Sequence, residues 1–306
     1  MFSVIFPGQG SQTVGMGMNL FNKYDSVKKL FNEADQILGH SISKLILEGP
    51  KEKLDLTENT QPAIFLISYS IFNVIKNEHS INLNKARYFA GHSLGEYTAL
   101  AASNVLSFSD GLKILKIRGK AMQSAVPKGE GGMLAVLGTD IKEIEQIINN
   151  FNCEIANDNS NGQIVVSGKI NDLDNLILEL KNKGIKNIKL PVSAPFHSKL
   201  MKKATDVMRN EIEKLNFKNS SNELISNVTA KEISQTTEIK NLLIQQIESR
   251  VRWRESVNYM ISKGIKEFIE IGPGKVLSGL IKRIDKSVKV GAINTEEDIS
   301  SIKIND

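Results

Sequence analysis

Short apolar runs alternate with amphipathic segments along most of the chain. The run Ser3–Phe6 predicts a buried strand, which is followed by a glycine-rich loop over Pro7–Gly17 and by helices to about Ile75. The next part predicts one buried strand and two helices, at Ala86–Ala90, Glu96–Val105 and Asp110–Ala125. Strands that alternate with helices are typical of an α/β fold with a mainly parallel sheet.

The composition changes at Pro127–Gly132, which predicts a loop or hinge. The residues after it predict strand, helix, strand, strand, helix and strand, at Met133–Leu137, Asp140–Asn150, Cys153–Asn157, Gln163–Ser167, Asn171–Lys183 and Ile185–Leu190. This βαββαβ order is the ferredoxin-like pattern. Helices and strands then alternate again, with strands at Glu267–Ile271 and Val288–Ile293. We therefore predict a large α/β subdomain over residues 1–126 and 197–306, with a small inserted ferredoxin-like subdomain over 127–196.

Composition narrows the class of protein. With 306 residues, of which 41% are hydrophobic and 24% charged, the chain can bury a large core. No apolar run approaches the ~20 residues that span a bilayer, and the first residues lack a signal-type pattern, so we expect no membrane association. The single cysteine, Cys153, excludes an internal disulfide and a cysteine metal cluster, which favours a reducing cytoplasm.

The charge balance bears on the choice of partner. Lys and Arg outnumber Asp and Glu by 39 to 34, and the excess of +5 is scattered. No basic tail or aromatic-interleaved basic stripe is present, so nucleic acid is not expected. An acidic protein or a polyphosphorylated small molecule fits such a surface better.

The segment Gly91-His92-Ser93-Leu94-Gly95 matches the Gly-x-Ser-x-Gly pattern of a nucleophile elbow. It lies between a predicted strand and a predicted helix, which is the context that an elbow requires. In that turn the serine hydroxyl is held exposed on a strained backbone. The alternative interpretation is an ordinary glycine-rich turn. The strand–turn–helix context favours Ser93 as a nucleophile.

A serine nucleophile needs a base, usually a histidine. Of the four histidines, His40 and His79 lie in polar stretches at predicted helix ends, where a solvated or capping role is expected. His92 adjoins Ser93, but neighbouring side chains in a turn diverge, so we expect it to support the elbow. His197 lies in a proline-stiffened loop at the junction of the predicted subdomains and is the base by elimination. Spacing identifies no orienting acid, so we favour a dyad whose histidine is held by a backbone or amide oxygen.

Arg118 is a second candidate site residue. Its neighbours three and four positions away on the predicted helix are apolar, namely Ile114, Leu115, Ala121 and Met122. A buried arginine is costly unless it meets an anion, and a guanidinium binds a carboxylate through two parallel hydrogen bonds. The anion is either an internal Asp or Glu or the carboxylate of a substrate.

Two glycine-rich loops bear on anion binding. In an elbow one oxyanion donor is the amide after the nucleophile, here Leu94, and the loop around Gln9 has the glycines that allow a second donor to approach. A dinucleotide fingerprint is not complete there, because Thr13 stands where its third glycine would be. Gly272–Lys275 lacks P-loop spacing, which favours a strand-to-helix turn.

Together these residues resemble the malonyl-CoA:acyl carrier protein transacylases of bacterial fatty-acid synthesis and, more broadly, the acyltransferase domains of polyketide synthases. The resemblance runs nearly end to end, through Phe6-Pro7-Gly8-Gln9-Gly10-Ser11-Gln12, Gln61-Pro62-Ala63, Gly91-His92-Ser93-Leu94-Gly95-Glu96-Tyr97, Arg118-Gly119, Pro195-Phe196-His197-Ser198, Gln246, Trp253 and Glu270-Ile271-Gly272-Pro273-Gly274. It implies an α/β fold with an α/β-hydrolase-like large subdomain and an inserted ferredoxin-like small subdomain.

The resemblance also implies a reaction. Ser93 would take malonyl from coenzyme A as an ester, His197 would serve as base and acid, and Arg118 would pair with the free carboxylate. The amides of Gln9 and Leu94 would form the oxyanion hole. The ester would then pass to the phosphopantetheine thiol of acyl carrier protein, an acidic partner.

Two finer roles follow from the same resemblance. A backbone carbonyl at Gln246 would orient His197. Phe196 resembles the version of the selectivity motif that is linked to malonyl units, although Ala194 stands where relatives with that motif often carry histidine. No metal and no cofactor is implied beyond the two substrates, malonyl-CoA and carrier protein, and we expect a cytoplasmic monomer.

Two other functions remain open at this point. A serine esterase or thioesterase would use the same elbow, and would release free malonate instead of loading carrier protein. A module that binds carrier protein without activity could retain the fold. The presence of Ser93, His197 and Arg118 together argues against that module, since a scaffold would lose nothing without them.

Overall fold

The computed structural model describes residues 1–79, 81–192 and 194–301, and these form a mixed α/β fold with two sheets. The strands are β1 (Phe2–Phe6), β2 (Tyr88–Gly91), β3 (Gly131–Leu137), β4 (Cys153–Ser160), β5 (Gln163–Lys169), β6 (Lys186–Lys189), β7 (Glu223–Ile225), β8 (Glu232–Ile233), β9 (Glu267–Ile271) and β10 (Lys289–Ile293). Short 3₁₀ turns occur at Leu83–Lys85 and Lys199–Met201.

The helices lie between these strands along most of the chain. They are α1 (Met18–Lys23), α2 (Asp25–Leu38), α3 (Ile42–Glu48), α4 (Lys51–Leu54), α5 (Thr57–Asn77), α6 (Gly95–Ala102), α7 (Phe108–Gln123), α8 (Ile141–Ile148), α9 (Ile170–Asn182), α10 (Lys202–Lys214), α11 (Thr236–Gln246), α12 (Trp253–Ser262), α13 (Val276–Ile284) and α14 (Glu296–Ser301). Within the described residues, no helix is both long enough and apolar enough to span a membrane.

The larger sheet has the order β10-β9-β1-β2-β7-β8, and every pairing in it is parallel except that of β7 with β8. Its central strand β1 is buried along its whole length, as expected for a strand that helices cover on both faces. Parallel strands bring their carboxyl ends to one edge. The loops that follow β1, β2 and β7 therefore meet there.

The smaller sheet has the order β4-β5-β3-β6 and is antiparallel throughout. Successive residues along β3 and β5 point to opposite faces. Leu134 and Ile164 pack into an apolar cluster with α8 and α9, whereas their neighbours Met133 and Val165 join the main core. The face of the smaller sheet that carries Met133 and Val165 is directed at the cavity described below.

The strands predicted from the apolar runs are present, with bounds that differ by a few residues. The strand predicted at Ala86–Ala90 begins two residues later, at Tyr88, because Leu83–Lys85 forms a 3₁₀ turn just before it. The helix predicted at Glu96–Val105 ends at Ala102. The short strands β7 and β8 were not predicted. Their three and two residues are too few to show an apolar period.

Candidate active site

Ser93 lies in the turn between β2 and α6, at the carboxyl edge of the larger sheet. Its φ of 52° is in the left-handed region, which non-glycine residues seldom adopt and which marks local strain. The turn lies so close to β1 that a Cβ at Gly95 would be 2.3 Å from the carbonyl oxygen of Phe6. Glycine at that position therefore lets the elbow pack against the central strand.

Asn227, in the loop after β7, fixes the elbow from the other side. The Ser93 amide donates to Asn227 Oδ1 at 2.7 Å, and Asn227 Nδ2 donates to the Gly91 carbonyl at 2.7 Å. Sequence reasoning missed this residue. It lies two positions after the end of β7, a strand too short to be predicted, so the local sequence held no signal for its approach to Ser93.

His197 is the histidine hydrogen-bonded to Ser93. Its Nε2 lies 2.8 Å from Ser93 Oγ, and its Nδ1 lies 2.8 Å from the carbonyl oxygen of Gln246. A carbonyl can only accept, so Nδ1 carries the hydrogen and Nε2 is free to accept the Ser93 hydroxyl proton. Burial and the nearby Arg118 charge lower the pKa of His197 to about 3, so the imidazole is neutral near pH 7.

Arg118 is completely buried on α7 and points at Ser93. Nη1 donates to Gln61 Oε1 at 2.9 Å, and Nη2 donates to Gln246 Oε1 at 2.7 Å and to Ser93 Oγ at 3.2 Å. Its Nε is buried without a partner. Among the described residues, no carboxylate lies within 4.0 Å of its nitrogens, so the internal ion pair considered from the sequence is not formed. The guanidinium is left for an external anion.

The approach of α5 to α7 brings Gln61 to Arg118. A Cβ at Gly119 would lie 2.5 Å from the carbonyl oxygen of Thr57, so glycine is needed for the two helices to come this close. Ser107 begins α7 as its N-cap and accepts from the Asp110 amide at 3.0 Å.

Glu96, in the first turn of α6, is a buried carboxylate beside this group. Its Oε2 accepts from Gln246 Nε2 at 2.7 Å and from the Asn227 amide at 3.2 Å. Burial raises the pKa of Glu96 to about 7, against the opposing effects of these hydrogen bonds and of Arg118. No role was predicted for Glu96. The sequence feature that could have identified it is a single carboxylate in a helix whose other residues are small, apolar or uncharged.

A cavity of about 150 Å³ opens beside Ser93. It is lined by Gln9, Gln61, His92, Ser93, Leu94, Arg118, Met122, Met133, Asn157, Asn159, Val165, Leu190, Val192, Phe196 and His197. The predicted residues Gln9, Leu94 and Phe196 are thus at the same cavity as Ser93.

Within the described part of the chain, the backbone N–H groups of Gln9 and Leu94 have no acceptor, so both are available to an oxyanion.

The other histidines make different contacts. His92 Nε2 lies 2.8 Å from Asn159 Oδ1 on β4, so His92 links the elbow to the smaller sheet. His40 Nδ1 lies 3.0 Å from the Leu38 carbonyl, and His79 Nε2 lies 3.0 Å from the Tyr24 hydroxyl. The contact of His92 agrees with the support of the elbow that was expected for it, and that of His40 with the last carbonyl of α2 agrees with a capping role. His79 is half-buried against Tyr24 and is neither solvated nor a cap.

The chain was compared with known proteins. It matches the family model described as acyl transferase domain over residues 3–303. It is 43% identical over 302 residues to the malonyl CoA-acyl carrier protein transacylase of Bacillus subtilis strain 168, which covers 96% of this chain and 94% of that relative.

Solved structures agree with this match. The fold is similar to that of the acyl-carrier-protein-S-malonyltransferase from Bartonella henselae, with a TM-score of 0.95 and 41% identity over 98% of this chain and 97% of the other. It is also similar to a malonyl-transacylase in complex with a type II PKS acyl-carrier protein, with a TM-score of 0.93 and 34% identity over 98% of each chain.

Proposed function

Because the chain belongs to the acyl transferase domain family, we propose that it transfers malonyl from coenzyme A to the phosphopantetheine thiol of acyl carrier protein. The proposal rests above all on one observation. Ser93 Oγ lies within hydrogen-bond distance of both His197 Nε2, at 2.8 Å, and Arg118 Nη2, at 3.2 Å. A nucleophile that is hydrogen-bonded both to a base and to a guanidinium with no carboxylate partner among the described residues suits an acyl group that carries its own carboxylate.

Loading begins when His197 Nε2 accepts the proton of Ser93 Oγ as the oxygen attacks the thioester carbon. The negative charge that develops on the carbonyl oxygen is received by the N–H groups of Gln9 and Leu94. The carbon–sulfur bond then breaks. The coenzyme A sulfur leaves with the proton from His197, and the malonyl group remains as an ester on Ser93.

The second half of the reaction runs the same steps in reverse with a new thiol. The phosphopantetheine thiol of the carrier protein gives its proton to His197 Nε2, and its sulfur attacks the ester carbon. The carbon–oxygen bond to Ser93 breaks, and His197 returns the proton to Oγ. The Gln246 carbonyl keeps the imidazole in the tautomer that both halves require.

Arg118 selects the acyl group in this proposal. The free malonyl carboxylate pairs with the guanidinium, and such charge-assisted hydrogen bonds contribute about 1.5–3 kcal/mol each. An acetyl group would leave the buried Arg118 charge without a counter-ion. Phe196, which is 6% exposed and lines the same cavity, limits the width of the acyl group in this proposal.

The division of the chain into two subdomains is part of the same proposal. We assign the α/β-hydrolase-like subdomain to residues 1–126 and 197–306 and the ferredoxin-like one to 127–196. The order β4-β5-β3-β6 of the smaller sheet supports this assignment. We also propose that the protein acts as a monomer in the cytoplasm.

Intact-mass spectrometry tests the proposed function. After brief exposure to malonyl-CoA, the protein should carry one malonyl adduct that is absent from Ser93→Ala and is discharged by added carrier protein. Free coenzyme A and malonate without malonyl carrier protein would instead identify a hydrolase. If no adduct forms and no coenzyme A is released, the assignment of malonyl-CoA as the substrate is refuted.

A further inference from the structure

The carboxamide of Gln246 joins two charged groups of the site. Its oxygen accepts from Arg118 Nη2 at 2.7 Å, and its nitrogen donates to Glu96 Oε2 at 2.7 Å and to the Ser93 carbonyl at 3.1 Å. Gln246 is fully buried, so water does not replace any of these partners. The same residue holds His197 through its backbone carbonyl.

A carboxamide has two ends of opposite hydrogen-bonding character. If the Gln246 amide were turned over, its NH₂ would face the Arg118 guanidinium, donor against donor. Its oxygen would face the Ser93 carbonyl and the ionised form of the Glu96 carboxylate, acceptor against acceptor. In a buried site both contacts would be strongly unfavourable. A carboxylate at position 96 therefore favours the orientation in which the amide oxygen faces Arg118.

We propose that Glu96 is a positioning residue for malonyl transfer, which acts through Gln246 to hold Arg118 where the carboxylate of the acyl group binds. The inference rests on the proposed function. It does not make Glu96 a proton donor or acceptor in the reaction, because Gln246 stands between Glu96 and Arg118.

A purely structural role for Glu96 makes a different prediction. Its Oε2 also accepts from the Asn227 amide, so loss of the side chain would loosen the loop that fixes the elbow. A loosened elbow would slow every acylation of Ser93 to the same extent. A positioning role through Arg118 would slow only acylation by groups that carry a carboxylate.

The experiment compares two acylating reagents on each variant. Malonyl-CoA requires Arg118 in the proposed mechanism, whereas 4-nitrophenyl acetate is a reactive ester that carries no carboxylate. The rates of Ser93 acylation are measured by intact mass and by release of 4-nitrophenolate, with Ser93→Ala as the blank. The readout is the ratio of the malonyl rate to the acetate rate, which the fraction of folded enzyme does not change.

In Glu96→Ala this ratio should fall by about tenfold, the equivalent of one hydrogen bond to a charged group. Glu96→Gln should stay within about threefold of the wild type, because its side-chain oxygen can accept from both Gln246 and Asn227. Glu270→Ala is the matched control. Glu270 is a fully buried carboxylate that accepts from the amides of Leu277 and Ser278 at the start of α13, so its loss should not change the ratio.

Two results would overturn the inference. One is an equal loss of both reactions in Glu96→Ala, which indicates a structural role. The other is a ratio in Glu96→Gln as low as in Glu96→Ala, which shows that the charge and not the hydrogen bond matters. A wild type that reacts with the ester but not with malonyl-CoA would instead refute the proposed function.

Discussion

The two sides of the cavity differ in character. Residues from outside the segment 127–196 supply polar groups that bind one another, namely the half-buried Ser93 and the buried Arg118, His197 and Gln246. The segment 127–196 supplies a mostly apolar wall, formed by Met133, Val165, Leu190, Val192 and Phe196 with Asn157 and Asn159. We call the first group the polar network and the second the apolar wall. Under the proposed function, the network carries the chemistry and the wall sets the shape of the acyl group.

The difference has an energetic basis. Each member of the polar network has at least two partners in the same network, so removal of one leaves buried donors or acceptors unpaired, at about 1–3 kcal/mol each. The five apolar side chains of the wall cannot form hydrogen bonds, and Asn157 and Asn159 bond to His92 instead of to the network. Loss of a methyl or phenyl group there changes the volume of the cavity and its apolar contacts, and it leaves the hydrogen bonds beside Ser93 unchanged.

The largest effect is expected from Arg118→Ala. Loss of a charge-assisted contact of about 1.5–3 kcal/mol should slow malonyl loading roughly 10- to 150-fold. Acylation by 4-nitrophenyl acetate should slow much less. Arg118→Lys is the matched control, because it keeps the charge but not the planar fork of donors, so it should recover only part of the rate. Intact-mass time courses give the rate of malonyl loading of each variant, and release of 4-nitrophenolate gives the rate of acylation by the ester.

An unchanged malonyl-to-acetate ratio in Arg118→Ala would remove the carboxylate pairing from the proposal. It would also remove the main distinction between the two sides of the cavity. Full activity in Arg118→Lys would show that a point charge suffices, and that the two hydrogen bonds to Gln61 and Gln246 do not set the geometry.

The local parts of this network could be predicted from the sequence. The spacing of the two glycines around Ser93 is enough to indicate an elbow, and the apolar neighbours of Arg118 on one helix are enough to indicate its burial. His197 could be reached by elimination, since few histidines were available. The first two inferences use residues within one or two turns of chain, and the third uses only the number of histidines and their neighbours in sequence.

The rest of the network could not be predicted in that way because its contacts join distant segments. Arg118 and Gln246 are 128 positions apart, and Ser93 and Asn227 are 134 apart. Periodicity within a helix or strand holds no information about such pairs. Asn227 lies beside Ser93 only because the short strand β7 pairs with β2, and β7 was itself missed. The role of Gln246 came from resemblance alone.

A smaller effect on acyl transfer is expected when a residue of the apolar wall is replaced. Phe196→Ala should enlarge the cavity beside the acyl chain, so that methylmalonyl-CoA, which carries one further methyl group, loads about tenfold better relative to malonyl-CoA. The hydrogen bonds of Ser93 are unaffected, so malonyl loading itself should change by less than about threefold. Competition between the two thioesters, read by intact mass, gives the ratio directly.

Phe217→Ala is the control for Phe196→Ala. Phe217 is also a buried phenylalanine, but it is not among the cavity residues, so its loss should lower stability and leave the choice of acyl group unchanged. A shift in acyl preference of equal size in both variants would show that the preference follows general loosening of the fold. The wall would then not be the selective surface.

Glu96, whose carboxylate accepts from Gln246 of the polar network, should give stability a pH dependence that the apolar wall does not show. Burial raises the pKa of Glu96 to about 7, above its ordinary value of 4.5. Between these values the folded state binds more protons than the unfolded state, so this group makes the protein less stable as pH rises from 4.5 to 7. Glutamine does not titrate, and Glu96→Gln should therefore gain stability relative to the wild type as pH rises.

Urea unfolding at pH 5.0 and pH 7.5 measures this gain, which should be about 2 kcal/mol. His197 titrates in both proteins and cancels in the comparison as long as its own surroundings are unchanged. Val165→Ala provides the counterpart from the apolar wall. It should cost about the same free energy of unfolding at both pH values, because removal of two methyl groups changes no titrating group. A pH-dependent cost in Val165→Ala, or a constant difference for Glu96→Gln, would mean that the titrating groups act across both sides of the cavity and that the division drawn here does not hold.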